Sequence, residues 1–188
     1  PKEEGDLRAS KLRPISVMSV LYRAWAMARL PGILEWQELW ATQALCGFRP
    51  ELGCDDAIWQ AGLDIEGSLI ERAPLFGFKI DLVKAFDKIP WSIVFPLARD
   101  LGMADCVLKP LESMYKLLTR RFKLGGFVGE AFSSTNGVLQ GCPLSVVFMN
   151  VMMQIWANVV AQIGTQVKSR TYADDASGTA PTAEEVLT

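Results

Sequence analysis

Two spacings of apolar residues run along the chain. Helical spacing covers Ser19 to Trp40, with an interruption at Pro31-Gly32, and then Asp55 to Glu71, Ser92 to Leu101 and Asp105 to Arg120. Pro50, Pro74, Pro90, Pro96 and Pro110 mark turns or helix starts. Extended runs lie between them. Leu75 to Leu82 is apolar with an Asp next to its end, and Val167 to Tyr172 is a second short strand. Arg121 to Thr135 holds two extended runs joined around Gly125 to Gly129, which predicts a hairpin. The longest apolar stretch, Leu144 to Ile163, spaces Asn150, Gln154, Asn158 and Gln162 four residues apart. On a helix these form one slowly drifting polar stripe, which argues against a membrane span. The order of elements predicts an α+β fold, an antiparallel sheet covered by helices.

Composition narrows the chemistry. At 188 residues, half of them apolar and 21% charged, the chain suits one folded domain and excludes a disordered tail or a fibre. It contains no histidine. That removes histidine acid/base catalysis, Ser/His/Asp and Cys/His nucleophile systems and Cys/His zinc sites. Cys46, Cys54, Cys106 and Cys142 stand at irregular separations without a C-x-x-C pair, so neither a metal knuckle nor a disulfide framework is indicated. The start, PKEEGDLRAS, lacks the layout of a secretory signal. A reducing compartment, cytoplasmic or nuclear, is therefore expected, with no membrane. The missing initiator Met and the ending at a helix start lead to the expectation of a piece of a longer polypeptide. Net charge is −2, distributed as +3 over residues 1–30, −6 over 31–75 and +1 over the rest. The six tryptophans are scattered and read as core or packing residues.

What remains for chemistry is carboxylate. Asp81 ends the stretch Phe78-Lys79-Ile80-Asp81-Leu82, and Asp174-Asp175 follows the strand that ends at Tyr172-Ala173. Adjacent carboxylates repel unless a cation or water screens them. Magnesium takes hard oxygen ligands and is commonly held by one or two carboxylates plus substrate phosphates. If the two strand ends are neighbours in one sheet, three carboxylates meet and suit two ions for in-line phosphoryl transfer. Taken alone, an Asp-Asp pair is more often a solvated turn or a helix cap. The segment Asn136 to Ser145 adds context: it forms a turn entering the polar-striped helix, where backbone amides and Gln140 suit a nucleotide.

Five blocks, in this order, carry a resemblance: Arg13-Pro14-Ile15-Ser16, Gly47-Phe48-Arg49-Pro50, Asp81 to Asp87 (DLVKAFD), Gly137 to Ser145 (GVLQGCPLS) and Tyr172-Ala173-Asp174-Asp175. Together they resemble the reverse transcriptases of non-LTR (LINE-type) retrotransposons and group II introns, over about residues 10 to 180. The resemblance implies a right-hand polymerase with a ferredoxin-like palm. Residues to about 75 would be mostly fingers, those from about 76 to 188 mostly palm, and the thumb would be absent. It implies that Asp81, Asp174, Asp175 and the carbonyl of Leu82 bind two Mg2+ ions, with Mn2+ as a substitute. The implied partners are an RNA template, a DNA primer, deoxynucleoside triphosphates and the rest of the parent polypeptide. Arg13 matches a position that reaches the triphosphate, and Phe86 the aromatic gate against a 2′-hydroxyl. Gln140 and Gly141 match the segment beside nucleotide and template.

Plainer readings stand beside these. Phe86 as a core ring, Arg13 as a surface charge and Gly141 as a turn glycine are the alternatives. Lys84 and Asp87 also read as solvated faces of a helix start, and Arg49 as a partner of acidic neighbours. The basic run Lys116, Arg120, Arg121 and Lys123 is positioned along the chain to touch template backbone, although such runs are commonly just solvated. A net negative charge is unusual for a chain that grips phosphates. Two other functions remain open at this stage. One is a decayed palm that serves as a nucleic-acid scaffold. The other is another palm enzyme, such as an RNA-dependent RNA polymerase, for which a small or polar group at Phe86 and Gly-Asp-Asp are expected.

Overall fold

A computed structural model describes residues 14–164 and 166–187. The chain runs α1 (Val20–Glu38), α2 (Cys54–Glu71), β1 (Phe76–Asp81), α3 (Ala85–Lys88), α4 (Trp91–Asp100), α5 (Asp105–Leu117), β2 (Arg120–Leu124), β3 (Phe127–Phe132), α6 (Ser145–Ile163), β4 (Lys168–Tyr172), β5 (Asp175–Ala180) and α7 (Ala183–Leu187). This is the expected α+β order with two corrections. Pro31 does not interrupt α1, because it lies on the exposed face, where water can take over the carbonyl that loses its donor. Helix α5 stops at Leu117, and Arg120 opens a strand instead of closing the helix.

β1, β5 and β4 form an antiparallel sheet in that order, while β2 and β3 form a separate two-stranded ribbon. Register runs from Phe76↔Ala180 to Asp81↔Asp175 on one side of β5, and from Lys168↔Thr179 to Tyr172↔Asp175 on the other. Directly opposed residues share a face. One face therefore presents Ala176, Gly178 and Ala180, all buried, opposite Ile80, Phe78 and Phe76. Small residues on β5 leave room for rings on β1: a Cβ at Gly178 would lie 2.6 Å from the Phe78 ring. That ring meets Trp156 of α6 edge-on at 6.3 Å.

Helix α6 is long and apolar enough to cross a membrane by length and composition. Here it is the central core helix. Val147, Phe148, Met149, Val151 and Met153 are buried in one cluster with Val94 and Phe95 of α4 and Leu108, Leu111 and Tyr115 of α5. Burial of an aliphatic or aromatic side chain contributes about 1.5–3 kcal/mol each, so this cluster supplies most of the driving force. Trp25, Trp36, Trp40, Trp91 and Trp156 pack against it, as expected of packing residues. Trp59 does not: it is 69% exposed on α2, none of whose residues is fully buried. All four cysteines are free, with Cys46 and Cys142 buried and Cys54 and Cys106 exposed.

What holds α2 to the sheet is polar. Arg170, 4% exposed on β4, forms an ion pair with Asp64 of α2. Asp64 also accepts from Lys168 Nζ at 2.6 Å and Thr179 Oγ1 at 2.7 Å. Burial raises the Asp64 pKa, but the bonds from Lys168, Thr179 and Arg170 outweigh it and leave the carboxyl below its ordinary value of 3.8. Stability from this depressed pKa is fully present above the unfolded value and is lost as pH falls through the lower folded value. Asp64→Asn is expected to destabilise the chain by about 3 kcal/mol in urea unfolding at neutral pH, because Arg170 would be left buried and unpaired. The deficit should shrink in the same measurement as pH falls below ~3.8, where the unfolded carboxylate takes up a proton that the folded one, with its lower pKa, resists until lower pH.

Candidate active site

β4 and β5 are joined by the two-residue turn Ala173-Asp174, closed by the Tyr172↔Asp175 pair. Ala173 has φ 55°, the left-handed conformation that such tight turns require and that Gly tolerates best. Register then sets Asp81, Asp175 and Tyr172 in a row across the three strands on one face, opposite the face covered by α6. Asp81 and Asp175 are exposed, and Asp174 is half-buried. So the structure brings Asp81 and Asp175 opposite each other, with Asp174 next in the turn. Among the described residues no three His, Cys, Asp or Glu side chains converge closely enough to hold a metal ion. The Lys79 ammonium, two residues before Asp81 on the same face, lies 3.3 Å from Asp175 Oδ1. Both partners are well exposed, so this pair adds little stability. By donor chemistry alone, three carboxylates suit a hard divalent cation, although in this arrangement their side chains do not converge.

The turn is held by a segment that sequence reasoning noted only as a matching block. Cys46 N–H donates to the Thr171 carbonyl at 2.9 Å and Thr171 N–H to the Ala44 carbonyl at 2.7 Å, so residues 44–46 continue the sheet beyond β4. Gly47 then passes over the turn: a Cβ there would lie 2.6 Å from Ala173 N. The Phe48 ring stacks on Tyr172 at 5.8 Å. Arg49 bonds Glu38 at 2.6 Å and the Thr42 and Leu45 carbonyls, so the acidic-partner reading of Arg49 is the one its geometry supports. That bond holds the Glu38 carboxyl below its usual range.

The polar stripe of α6 reaches this same segment. Asn150 Nδ2 donates to Gln37 Oε1 at 3.0 Å and to the Gly47 carbonyl at 2.8 Å. Gln154 Oε1 accepts from Thr42 N–H at 2.9 Å, and Gln154 Nε2 donates to Asn158 Oδ1 at 2.7 Å. Buried amides demand such partners. The four-residue spacing was the only sequence signal for this clamp.

A second wall comes from the Gly137–Ser145 loop packed on α3. Val138 N–H donates to the Phe86 carbonyl at 2.7 Å, Gly137 N–H to the Ile89 carbonyl at 2.8 Å, and Gln140 Nε2 to Asp87 Oδ1 at 2.9 Å. Asp87 is thus bonded and half-buried, which corrects its reading as a solvated face; Lys84 is exposed, with φ 54°. Gly137 has φ +81°, and a Cβ on it would lie 2.5 Å from the Asp87 carbonyl oxygen, so glycine is required twice over. Gly141, exposed with φ +101°, sits beside Ser16, whose N–H donates to the Gln140 carbonyl at 2.8 Å. Phe86 is half-buried against the core cluster. Arg13 lies outside the described residues.

Of the basic run, Lys116, Arg121 and Lys123 are exposed. Arg120 is half-buried, donating to the Gly137 carbonyl at 3.3 Å. Two tyrosines lie in apolar surroundings. Burial and the bond to Cys142 drive the Tyr22 pKa far up, and burial pushes Tyr115 up to about 12.

Comparison with known proteins identifies the family and the fold. The family model described as reverse transcriptase (RNA-dependent DNA polymerase) matches residues 1–188, and the chain belongs to that family. It is 27% identical over 184 residues to the Retrovirus-related Pol polyprotein from type-2 retrotransposable element R2DM of Drosophila melanogaster, a relative of the LINE type. That alignment covers 93% of this chain and 17% of the polyprotein, so the chain spans under a fifth of that relative. Among solved structures, apo telomerase from Candida tropicalis truncated from its C-terminal domain superposes with a TM-score of 0.67 at 11% identity, over 89% of this chain and 36% of that one. Telomerase from Candida albicans, with a fragment of telomeric RNA, gives 0.66 at 15%, over 89% and 32%. The fold is that of a polymerase palm with helices before it.

Gly47→Ala is expected to destabilise the chain by about 1–3 kcal/mol in urea unfolding, since the added methyl meets backbone and cannot swing away. Gly62→Ala, where nothing lies within 4 Å of the new Cβ, should be neutral or slightly stabilising in the same measurement.

Proposed function

We propose that this chain is the fingers-and-palm portion of an RNA-directed DNA polymerase, extending a DNA primer on an RNA template with deoxynucleoside triphosphates. The observation that carries the reading is the Asp81↔Asp175 register with Asp174 adjoining in the turn. Residues to about 75 act as fingers and those from about 76 as palm. Asp81, Asp174, Asp175 and the Leu82 carbonyl hold two Mg2+ ions, or Mn2+ in their place. When bound, such ions lower the pKa of the primer 3′-hydroxyl, orient its attack on the α-phosphate and stabilise the leaving pyrophosphate. The aspartates hold metal and do not act as bases.

The other residues position substrate. Gln140, steered by its bond to Asp87, and Gly141, whose φ of +101° suits glycine, border the nucleotide. Phe86, whose carbonyl is pinned by Val138, sets its ring under the sugar and excludes a 2′-hydroxyl. Arg13 reaches the triphosphate, where a guanidinium fork suits phosphate oxygens. Lys116, Arg121 and Lys123 contact template phosphates, and Arg120 supports them from the Gly137 carbonyl.

Asp174→Asn in the full-length polypeptide should lower extension of a DNA primer on an RNA template by about 10³-fold, several kcal/mol of metal-borne stabilisation, with the circular dichroism spectrum unchanged. Retained extension would count against the metal role of Asp174. Phe86→Ala should raise the ratio of ribonucleotide to deoxynucleotide incorporation in the same assay, and an unchanged ratio would remove the gate role.

A further inference from the structure

The β2–β3 ribbon has two chemically different faces, and neither is covered. Arg121 stands opposite Ala131, and Lys123 opposite Val128, so a bulge sets Phe122 against both Gly129 and Glu130. Alternation from there puts Arg121 and Lys123 on one face and Phe122, Leu124, Phe127 and Phe132 on the other. The Phe122 and Phe132 rings stack with centroids 4.9 Å apart and planes 21° apart. Phe122 is 63% exposed and Phe127 85%, exposures that a core aromatic would not show. Over Arg120 to Phe132 the ribbon carries three cations against one carboxylate, on a chain whose net charge is −2.

A positive element bearing exposed, pre-stacked rings has the chemistry of a single-strand binding platform, where bases stack on aromatics while cations follow the backbone. Its place agrees. Arg120, at the foot of the ribbon, is bonded to the carbonyl of Gly137, in the loop that walls the candidate active site. We propose that the ribbon binds the unpaired RNA template strand, with bases stacked on Phe122, Phe132 and Phe127 and phosphates met by Arg121 and Lys123. This inference rests on the polymerase reading and adds to it an aromatic template-binding element outside the active site.

The test uses the full-length polypeptide with fluorescein-labelled oligouridine, an abasic ribose-phosphate strand of the same length, and an RNA–DNA primer-template, read by anisotropy. Phe122→Ala should weaken oligouridine binding by about 10-fold and leave the abasic strand unaffected, and Phe122→Tyr should restore it. Arg121→Ala with Lys123→Ala should weaken both strands and flatten the salt dependence. Equal losses on both strands in Phe122→Ala, or no loss on either, would overturn the stacking role. So would a concentration-dependent dimer in sedimentation that Phe122→Ala dissolves, because the aromatic face would then belong to a second copy. Wild-type full-length polypeptide that binds none of the three probes would overturn the polymerase reading as well. Normal primer-template binding with oligouridine binding indifferent to Phe122 would remove this inference alone.

Discussion

The pairing of β1 with β5 is the constraint on which the rest depends. Side chains alternate between faces along a strand, so a slip of one residue would turn Asp81 toward α6 and bring Ile80 out beside Asp175. Register is fixed by shape as well as by backbone bonds. Phe78 lies over Gly178, where a Cβ would come within 2.6 Å of its ring, and the small residues of β5 stand opposite the larger ones of β1 in this alignment. The packing of the covered face thereby sets the geometry of the exposed one.

The second constraint acts at the turn. Ala173 adopts a conformation that costs an L-residue roughly 1–2 kcal/mol, and such strain persists only where surroundings over-determine it. Here they do: the Ala44–Cys46 backbone extends the sheet, Gly47 lies on the turn, and Asn150 ties the Gly47 carbonyl to α6 and Gln37. The loop that follows α1 thus couples the core helix to the carboxylate hairpin. Asp64 and Arg170 perform a comparable task at the other end of the same sheet face, where α2 has almost no buried apolar surface with which to hold itself.

Local signals were legible in the sequence, and long-range partners were not. The apolar strand ending at Asp81, the Tyr172–Asp175 hairpin and the Gly-rich ribbon turn are patterns of a few adjacent residues, and the structure places each as expected. The stripe of Asn150, Gln154 and Asn158 was visible as a periodicity, but not the loop that satisfies it, because Gln37 and Asn150 are 113 positions apart. Arg170 in Lys168-Ser169-Arg170 looks like a solvated strand residue until Asp64 is placed against it. Pro31 shows the opposite error: a strong local breaker yields to tertiary packing when it falls on the wet side of a helix. Exposure of the Phe122 and Phe127 rings was illegible for the same reason, since periodicity alone assigns any ring to a core.

The distribution of thiols has a practical consequence. Cys54 opens α2 and Cys106 lies in the first turn of α5, both accessible, whereas Cys46 and Cys142 are shielded. Maleimide dyes will therefore label one position on the helix before the sheet and one on the helical layer behind it without mutagenesis. Energy transfer between those two dyes offers a native ruler for any hinge motion between the two parts.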